Sequence, residues 1–116
     1  MLKTLYDTYG LPILVTGNGT DDRHDDGTAP AYIVRHLVWL QRARSEGVDV
    51  LGYVYSGLTD TYDWNQGTTF RYGLYRVEAD DPLRVRNPRA GAAAYAAISS
   101  AGEVPADLLE QYWEEP

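Results

Sequence analysis

Leu11-Pro12-Ile13-Leu14-Val15-Thr16-Gly17-Asn18-Gly19 is an apolar run that ends in a glycine-flanked turn. Its length and β-branching predict a strand over Leu11–Thr16, buried on both faces as in a parallel sheet. Pro12 is tolerated only near the start of such a strand. Upstream, Leu2, Leu5, Tyr6 and Tyr9 fall at i, i+3, i+4 and i+7, one face of a helix that Gly10 ends. Met1 is thus expected inside or just before a helix, with no leader. Downstream, Gly17 to Gly27 is a polar loop rich in turn residues. A helix is predicted from about Pro30 to Glu46, with Thr28 as N-cap, Pro30 in the first turn and Gly47 as stop. Its buried face is Ile33, Leu37, Leu40 and Ala43. Val48–Tyr55 reads as a second strand, so the spacing is that of a right-handed βαβ unit.

The rest of the chain adds a predicted hairpin with arms Phe70–Val77 and Leu83–Val85, turned by Ala79-Asp80-Asp81-Pro82. A small-residue helix follows over Arg89–Ser100, ended by Gly102. A last helix starts near Pro105 and holds Leu108, Leu109, Tyr112 and Trp113. Two strands patterned for burial on both faces leave open edges and a thin core. The 116 residues therefore read as one piece of a larger α/β sheet or barrel. A self-contained globule of this length would have a radius of gyration of about 13 Å.

Composition narrows the function. Ten Lys+Arg against 17 Asp+Glu give a net charge of −7, which argues against nucleic acid and against an anionic membrane surface. No apolar run approaches a membrane span, and the N-terminus has no signal-peptide core. With no cysteine, disulfides and thiolate metal sites are excluded; a cytoplasmic location is the expectation. Ten Tyr and three Trp against one Phe suit half-wet surfaces, because each pairs an apolar body with a polar tip.

The two strand ends carry a pattern. Leu11-Pro12-Ile13-Leu14-Val15-Thr16-Gly17-Asn18-Gly19 resembles the Pro-Ile-x-Val-Thr-Glu-Asn-Gly signature of glycoside hydrolase family 1, the β-glucosidases and β-glycosidases. The likeness continues through Tyr32, His36-Leu37, Gly47–Tyr53, Leu58, Asp60, Tyr62-Asp63-Trp64 and Arg71–Leu74. The tail from Asn87-Pro88 to Leu109 looks most like the archaeal-type members. The resemblance implies a fold: residues 1–116 as the C-terminal quarter of a (β/α)8 TIM barrel, its last two β/α units plus a hairpin and C-terminal helices.

The departures from that pattern fall in the pocket. Where the family has its glutamate nucleophile, this chain has Gly17. A pocket-lining Trp-Ser-Leu becomes Ser56-Gly57-Leu58. A sugar-binding glutamate is shortened to Asp63 beside a retained Trp64, and an aromatic after Gly67 is Thr68. Four changes together favour natural divergence over an engineered knockout. The family's acid/base lies on a middle strand outside this chain. Retaining glycosidases need two carboxylates about 5–5.5 Å apart, and Gly17 offers none.

The resemblance and the residue types together mark Asn18, Tyr55, Ser56, Asp60, Asp63 and Trp64 as candidate ligand-binding positions, with no catalytic residue, metal or cofactor on this chain. Each has a plainer alternative: a strand-end turn for Asn18, packing for Tyr55 (and Tyr53 beside it), loop capping for Asp60, a pocket hydrogen bond for Asp63 and a wall aromatic for Trp64. The acidic run Asp21–Asp26 fails the EF-hand pattern and reads as a solvated loop. His36 is expected to satisfy a structural hydrogen bond, and Arg42, Arg44 and Glu46 to form a solvated helix face.

Two functions follow. The first is a subunit of a split barrel that contributes a divergent pocket for a glycoside or sugar-like molecule, with a complementary chain supplying the other strands and any acid/base. The second is a non-catalytic pseudoenzyme subunit that stabilises its partner or binds ligand. Self-association of four copies is a third arrangement.

Overall fold

The computed structural model describes residues 1–115. Helix α1 (Leu2–Tyr9) ends at Gly10, whose N–H donates to the Tyr6 carbonyl at 2.8 Å. Strand β1 (Ile13–Asn18) follows, then α2 (Thr28–Ser45) and β2 (Val50–Tyr55). The two strands are parallel, pairing Ile13 with Val50, Leu14 with Gly52, Val15 with Tyr53 and Asn18 with Tyr55. They form a two-stranded sheet of their own, joined by α2 in the expected strand–helix–strand order. Strand β1 starts and ends two residues later than predicted, so Gly17 and Asn18 belong to it.

The start of α2 differs from expectation for a local reason. Thr28 is the first helical residue and not the cap; Gly27 holds that place at φ 91°, a left-handed backbone that glycine adopts without a Cβ penalty. The Asp26 carboxylate accepts the Thr28 N–H and hydroxyl, and Asp22 accepts the Ala29 N–H at 3.4 Å. Two upstream carboxylates thus satisfy amides that the helix start leaves open.

The predicted hairpin shrinks to β3 (Tyr75–Arg76) against β4 (Asn87–Pro88). Leu83–Val85 is not an arm. Asp81 accepts the backbone N–H groups of Leu83 at 2.9 Å and Val85 at 3.1 Å, taking donors a strand would have used. Residues 73–75 instead hydrogen-bond to the segment leaving β2, through Leu74 to Gly57 and Tyr75 to Leu58. The alanine-rich α3 (Ala90–Ala101) ends at Gly102 as expected, and α4 (Ala106–Tyr112) closes the described chain.

The core lies on one side of the sheet. Ile33, Val34, Leu37 and Leu40 of α2 pack with Val48, Val50, Tyr55, Leu74, Ile98 and Val104, and Ile13, Val15 and Tyr53 lean on that cluster. Leu14 and Val54 alternate with these core-facing residues and turn the other way; they are 50% and 48% exposed. Gly52 shares that face, and a Cβ there would lie 3.2 Å from the Leu14 side chain. The radius of gyration is 15.6 Å, against about 13 Å for a compact chain of this length. The surface exposes 7589 Å², where a folded monomer of 13.0 kDa would expose roughly 6,300 Å².

Candidate functional site

The C-terminal ends of β1 and β2 meet at one place. The Ser56 N–H donates to the Asn18 carbonyl at 3.0 Å. Gly19 then passes so close that a Cβ there would lie 2.2 Å from the Ser56 carbonyl oxygen. Only glycine allows that approach of two backbones. Gly19→Ala is expected to destabilise the protein by about 1–3 kcal/mol, because backbone and not a flexible side chain must give way. Gly17→Ala is the matched control and should be neutral in urea unfolding, since a Cβ at Gly17 meets nothing within 4 Å.

That open space has a geometric cause. The pairing slips between Val15 and Asn18, leaving Thr16 and Gly17 between two residues that face the helices. Both are exposed. Asn18 itself turns toward α2: its amide nitrogen donates to the Tyr32 hydroxyl at 3.1 Å, and its oxygen accepts the Tyr53 hydroxyl at 2.7 Å. Burial pushes the Tyr53 phenol well above its ordinary value.

Tyr53 and Tyr55 do share a side, and it is the helix side. Both rings meet Tyr95 of α3, at 6.4 and 6.3 Å between centroids. Tyr55 is buried, with its hydroxyl 3.5 Å from the Thr20 backbone. Within this chain both side chains pack on the helix side of the sheet.

Asp60 is the most heavily bonded side chain of the loop. It meets the Arg89 guanidinium twice, at 2.9 and 3.0 Å, and accepts the Gly73 and Val77 N–H groups at 3.0 and 3.2 Å. Arg71 approaches it at 3.4 Å. The Asp60 and Arg89 side chains are only 5% and 2% exposed. Burial raises the Asp60 pKa, but the Arg89 fork and the two backbone donors outweigh it and hold the carboxyl below its ordinary value. The loop-capping alternative describes what its oxygens do.

Asp63 builds a small turn. Its Oδ1 accepts the Asn65 and Gln66 N–H groups, both at 2.8 Å, and its backbone exchanges two hydrogen bonds with Gly67. Trp64 is 91% exposed and Tyr62 packs edge-on against it at 5.9 Å. Among the described residues no hydrogen bond joins Asp63 or Trp64 to residues 17–19. The structure thus brings Asn18, Gly19 and Ser56 together, ties Asp60 to Arg89, and leaves Trp64 exposed.

The acidic loop is less solvated than expected. Asp22 is buried, and its backbone N–H donates to the Arg71 carbonyl at 2.8 Å. Asp21 accepts the Arg71 N–H at 2.8 Å and pairs with Arg23, whose guanidinium lies over Phe70. No three His, Asp or Glu side chains converge to hold a metal among the described residues. His36 does make its backbone hydrogen bond, through Nδ1 to the Tyr32 carbonyl at 2.8 Å, and Arg42 and Glu46 pair on the exposed helix face.

Burial is the largest influence on Asp22 and raises its pKa, and Arg89 opposes it. The two buried acids therefore act oppositely with pH. Asp60, with a lowered folded pKa, contributes stability above its unfolded value of about 4 that is lost as pH falls through the folded value. Asp22, with a raised one, contributes stability below about pH 4 that is lost as pH rises through the folded value. Asp22→Asn should thus gain urea midpoint relative to the parent between acid and neutral pH, and a constant difference across that range would contradict this.

Comparison with known proteins follows the same geometry. Residues 1–104 match the family model of glycosyl hydrolase family 1. The chain belongs to that family. It is 41% identical over 78 residues to the β-galactosidase of Sulfolobus acidocaldarius, covering 67% of this chain and 16% of that protein. Among solved structures, it superposes on the β-glycosidase from Pyrococcus horikoshii with a TM-score of 0.87 and 32% identity, covering 98% of this chain and 26% of that one. The β-glycosidase of Thermosphaera aggregans gives 0.85 and 33%, over 99% and 23%. The solved relatives are TIM barrels, and this chain is a partial barrel spanning about a quarter of their length.

Proposed function

We propose that the chain supplies one quarter of a family 1-type barrel whose mouth binds a glycoside or sugar-like molecule, and that it does so without providing a nucleophile. The carrying observation is Gly17: an exposed position near the C-terminal end of β1, one residue before the Asn18 carbonyl that accepts the Ser56 N–H, with nothing within 4 Å of a Cβ. At the place where the resemblance puts a glutamate there is room and no carboxylate. A complementary chain supplies the remaining strands and any acid/base. Ligand recognition from this side falls to Asp63, Trp64 and Ser56, of which Trp64 presents a bare aromatic face suited to the apolar face of a sugar ring.

A specific observation favours the pseudoenzyme form of this reading. The polar atoms of Asn18 and Asp60 are spent on Tyr32, Tyr53, Arg89 and backbone amides, so they hold the mouth in shape and are not free to act on a ligand. The test uses the assembled protein and a 2-deoxy-2-fluoro aryl β-glycoside, followed by intact mass of each chain. Saturable binding with no adduct on this chain is expected. A covalent glycosyl adduct on this chain, or no binding at all, would overturn the proposal.

A further inference from the structure

We infer that Asn18-Gly19 is a latent modification site: a site of spontaneous deamidation that the Tyr32 and Tyr53 hydroxyls hold shut in the folded chain. Of the three asparagines, Asn18, Asn65 and Asn87, it alone precedes a glycine. Deamidation begins when the backbone nitrogen of the next residue attacks the asparagine Cγ. Glycine offers that approach the least steric resistance and the widest choice of φ and ψ. Asn65 precedes Gln66, whose side chain crowds the attacking nitrogen. Asn87 precedes Pro88, which has no N–H to give up. Asparagine is also among the residues that heat damages first.

The steps balance with water as the only co-reactant. The Gly19 nitrogen forms a bond to Cγ and loses its proton. The Cγ–Nδ2 bond breaks, and the side-chain nitrogen leaves with that proton as ammonia. Water then opens the cyclic imide at one of its two carbonyls. Opening on one side leaves aspartate; opening on the other leaves isoaspartate, in which the main chain runs through the former side-chain carbons.

The fold opposes the first step. Attack requires Cγ to swing round to the Gly19 nitrogen. Nδ2 donates to the Tyr32 hydroxyl at 3.1 Å, and Oδ1 accepts the Tyr53 hydroxyl at 2.7 Å, so both bonds must break first. The Asn18 carbonyl is pinned as well, by the Ser56 N–H at 3.0 Å. The glycine that makes the pair labile cannot be exchanged, because its backbone passes the Ser56 carbonyl where no Cβ fits. That tight passage also sets the consequence. Isoaspartate lengthens the main chain just before Gly19, and the approach to Ser56 leaves no slack for it.

The test incubates the full chain in mildly alkaline buffer, with and without urea, and weighs its proteolytic peptides. In urea the peptide carrying Asn18 should gain the mass of an amide turned to an acid, ahead of those carrying Asn65 or Asn87. Without urea the reaction should be slower by about tenfold or more, because the folded strand must open first. Tyr32→Phe removes one hydrogen bond to the amide and should speed the native reaction about fivefold. Tyr9→Phe, on the exposed face of α1, should not. Equal rates with and without urea would overturn the inference, as would a Tyr32→Phe chain with the parent's circular dichroism and the parent's rate. If Tyr32→Phe loses its circular dichroism, the parent's ratio of rates decides alone. The isolated isoaspartyl form should have a lower urea midpoint than the parent, and an equal midpoint would overturn the predicted break at Ser56.

Discussion

Asp60→Ala should cost the loop after β2 its protection: exchange at the Gly73 and Val77 amides is expected to speed up by about two orders of magnitude. Both amides donate to Asp60, but the larger loss is electrostatic. The Arg89 side chain is 2% exposed and meets Asp60 through both terminal nitrogens. Removing one partner of a buried pair leaves an uncompensated charge and costs about 3–5 kcal/mol. The buried Asp22 also acts on Arg89 through space, so the lower end of that range applies. At about 3 kcal/mol the expected change is roughly 10²-fold, since every 1.4 kcal/mol is tenfold. Asp60→Asn keeps the shape but turns an N–H₂ group toward donors, and should recover little. Arg89→Lys keeps the charge but loses the planar fork, so it should fall between the parent and Asp60→Ala. Exchange at Gly73 and Val77 unchanged in Asp60→Ala would show that the pair does not hold this loop.

Particular residues explain which features can be read from sequence. The two strands are legible because Ile13–Val15 and Val50–Tyr55 are short apolar runs rich in β-branched residues, although the burial on both faces that they predict is met on one face only: Leu14, Leu51 and Val54 are 50%, 67% and 48% exposed. Helices α1 and α3 are legible from periodicity or alanine content with a glycine at the end. The second hairpin arm is not, because its failure depends on Asp81 capturing two amides of its own turn. Thr28 is misplaced for the same kind of reason: Asp26, two residues earlier, takes the capping role. Within the site, the turn-forming habit of Asp60 is a property of its residue type. Its partner Arg89 lies 29 residues on, and nothing in the string Asn87-Pro88-Arg89 marks that arginine as buried. Asp22 hides inside an acidic run that looks solvated throughout. Tyr32 stands out only through the family resemblance, and its hydroxyl turns out to hold Asn18. Side chains whose role depends on a partner far along the chain are the ones that sequence periodicity misses.

Gly17→Glu in the assembled barrel is expected to give weak hydrolysis of an activated aryl β-glycoside, where the parent gives none through this chain. Sterics do not oppose the change, since a Cβ at Gly17 meets nothing within 4 Å. On the proposed split-barrel reading, the chemistry requires a second carboxylate from the complementary chain about 5–5.5 Å away. What limits the rate is orientation of the sugar. Ser56 stands where the family resemblance implies a tryptophan, and a substrate misplaced by an ångström can lose about 10²-fold in rate. Adding Ser56→Trp to Gly17→Glu should therefore raise activity, because it restores the aromatic wall that the resemblance implies at a position exposed in this chain. Asp63→Glu should add less. Asp63 spends one oxygen on the Asn65 and Gln66 amides at 2.8 Å, and a longer side chain gives up that turn while it reaches for the sugar. The ranking is the test: Gly17→Glu with Ser56→Trp above Gly17→Glu alone, and both above the parent. Ser56→Trp without the glutamate should hydrolyse nothing through this chain. Activity of the parent complex, with retained stereochemistry and an adduct on a residue of this chain, would show that Gly17 does not mark a missing nucleophile.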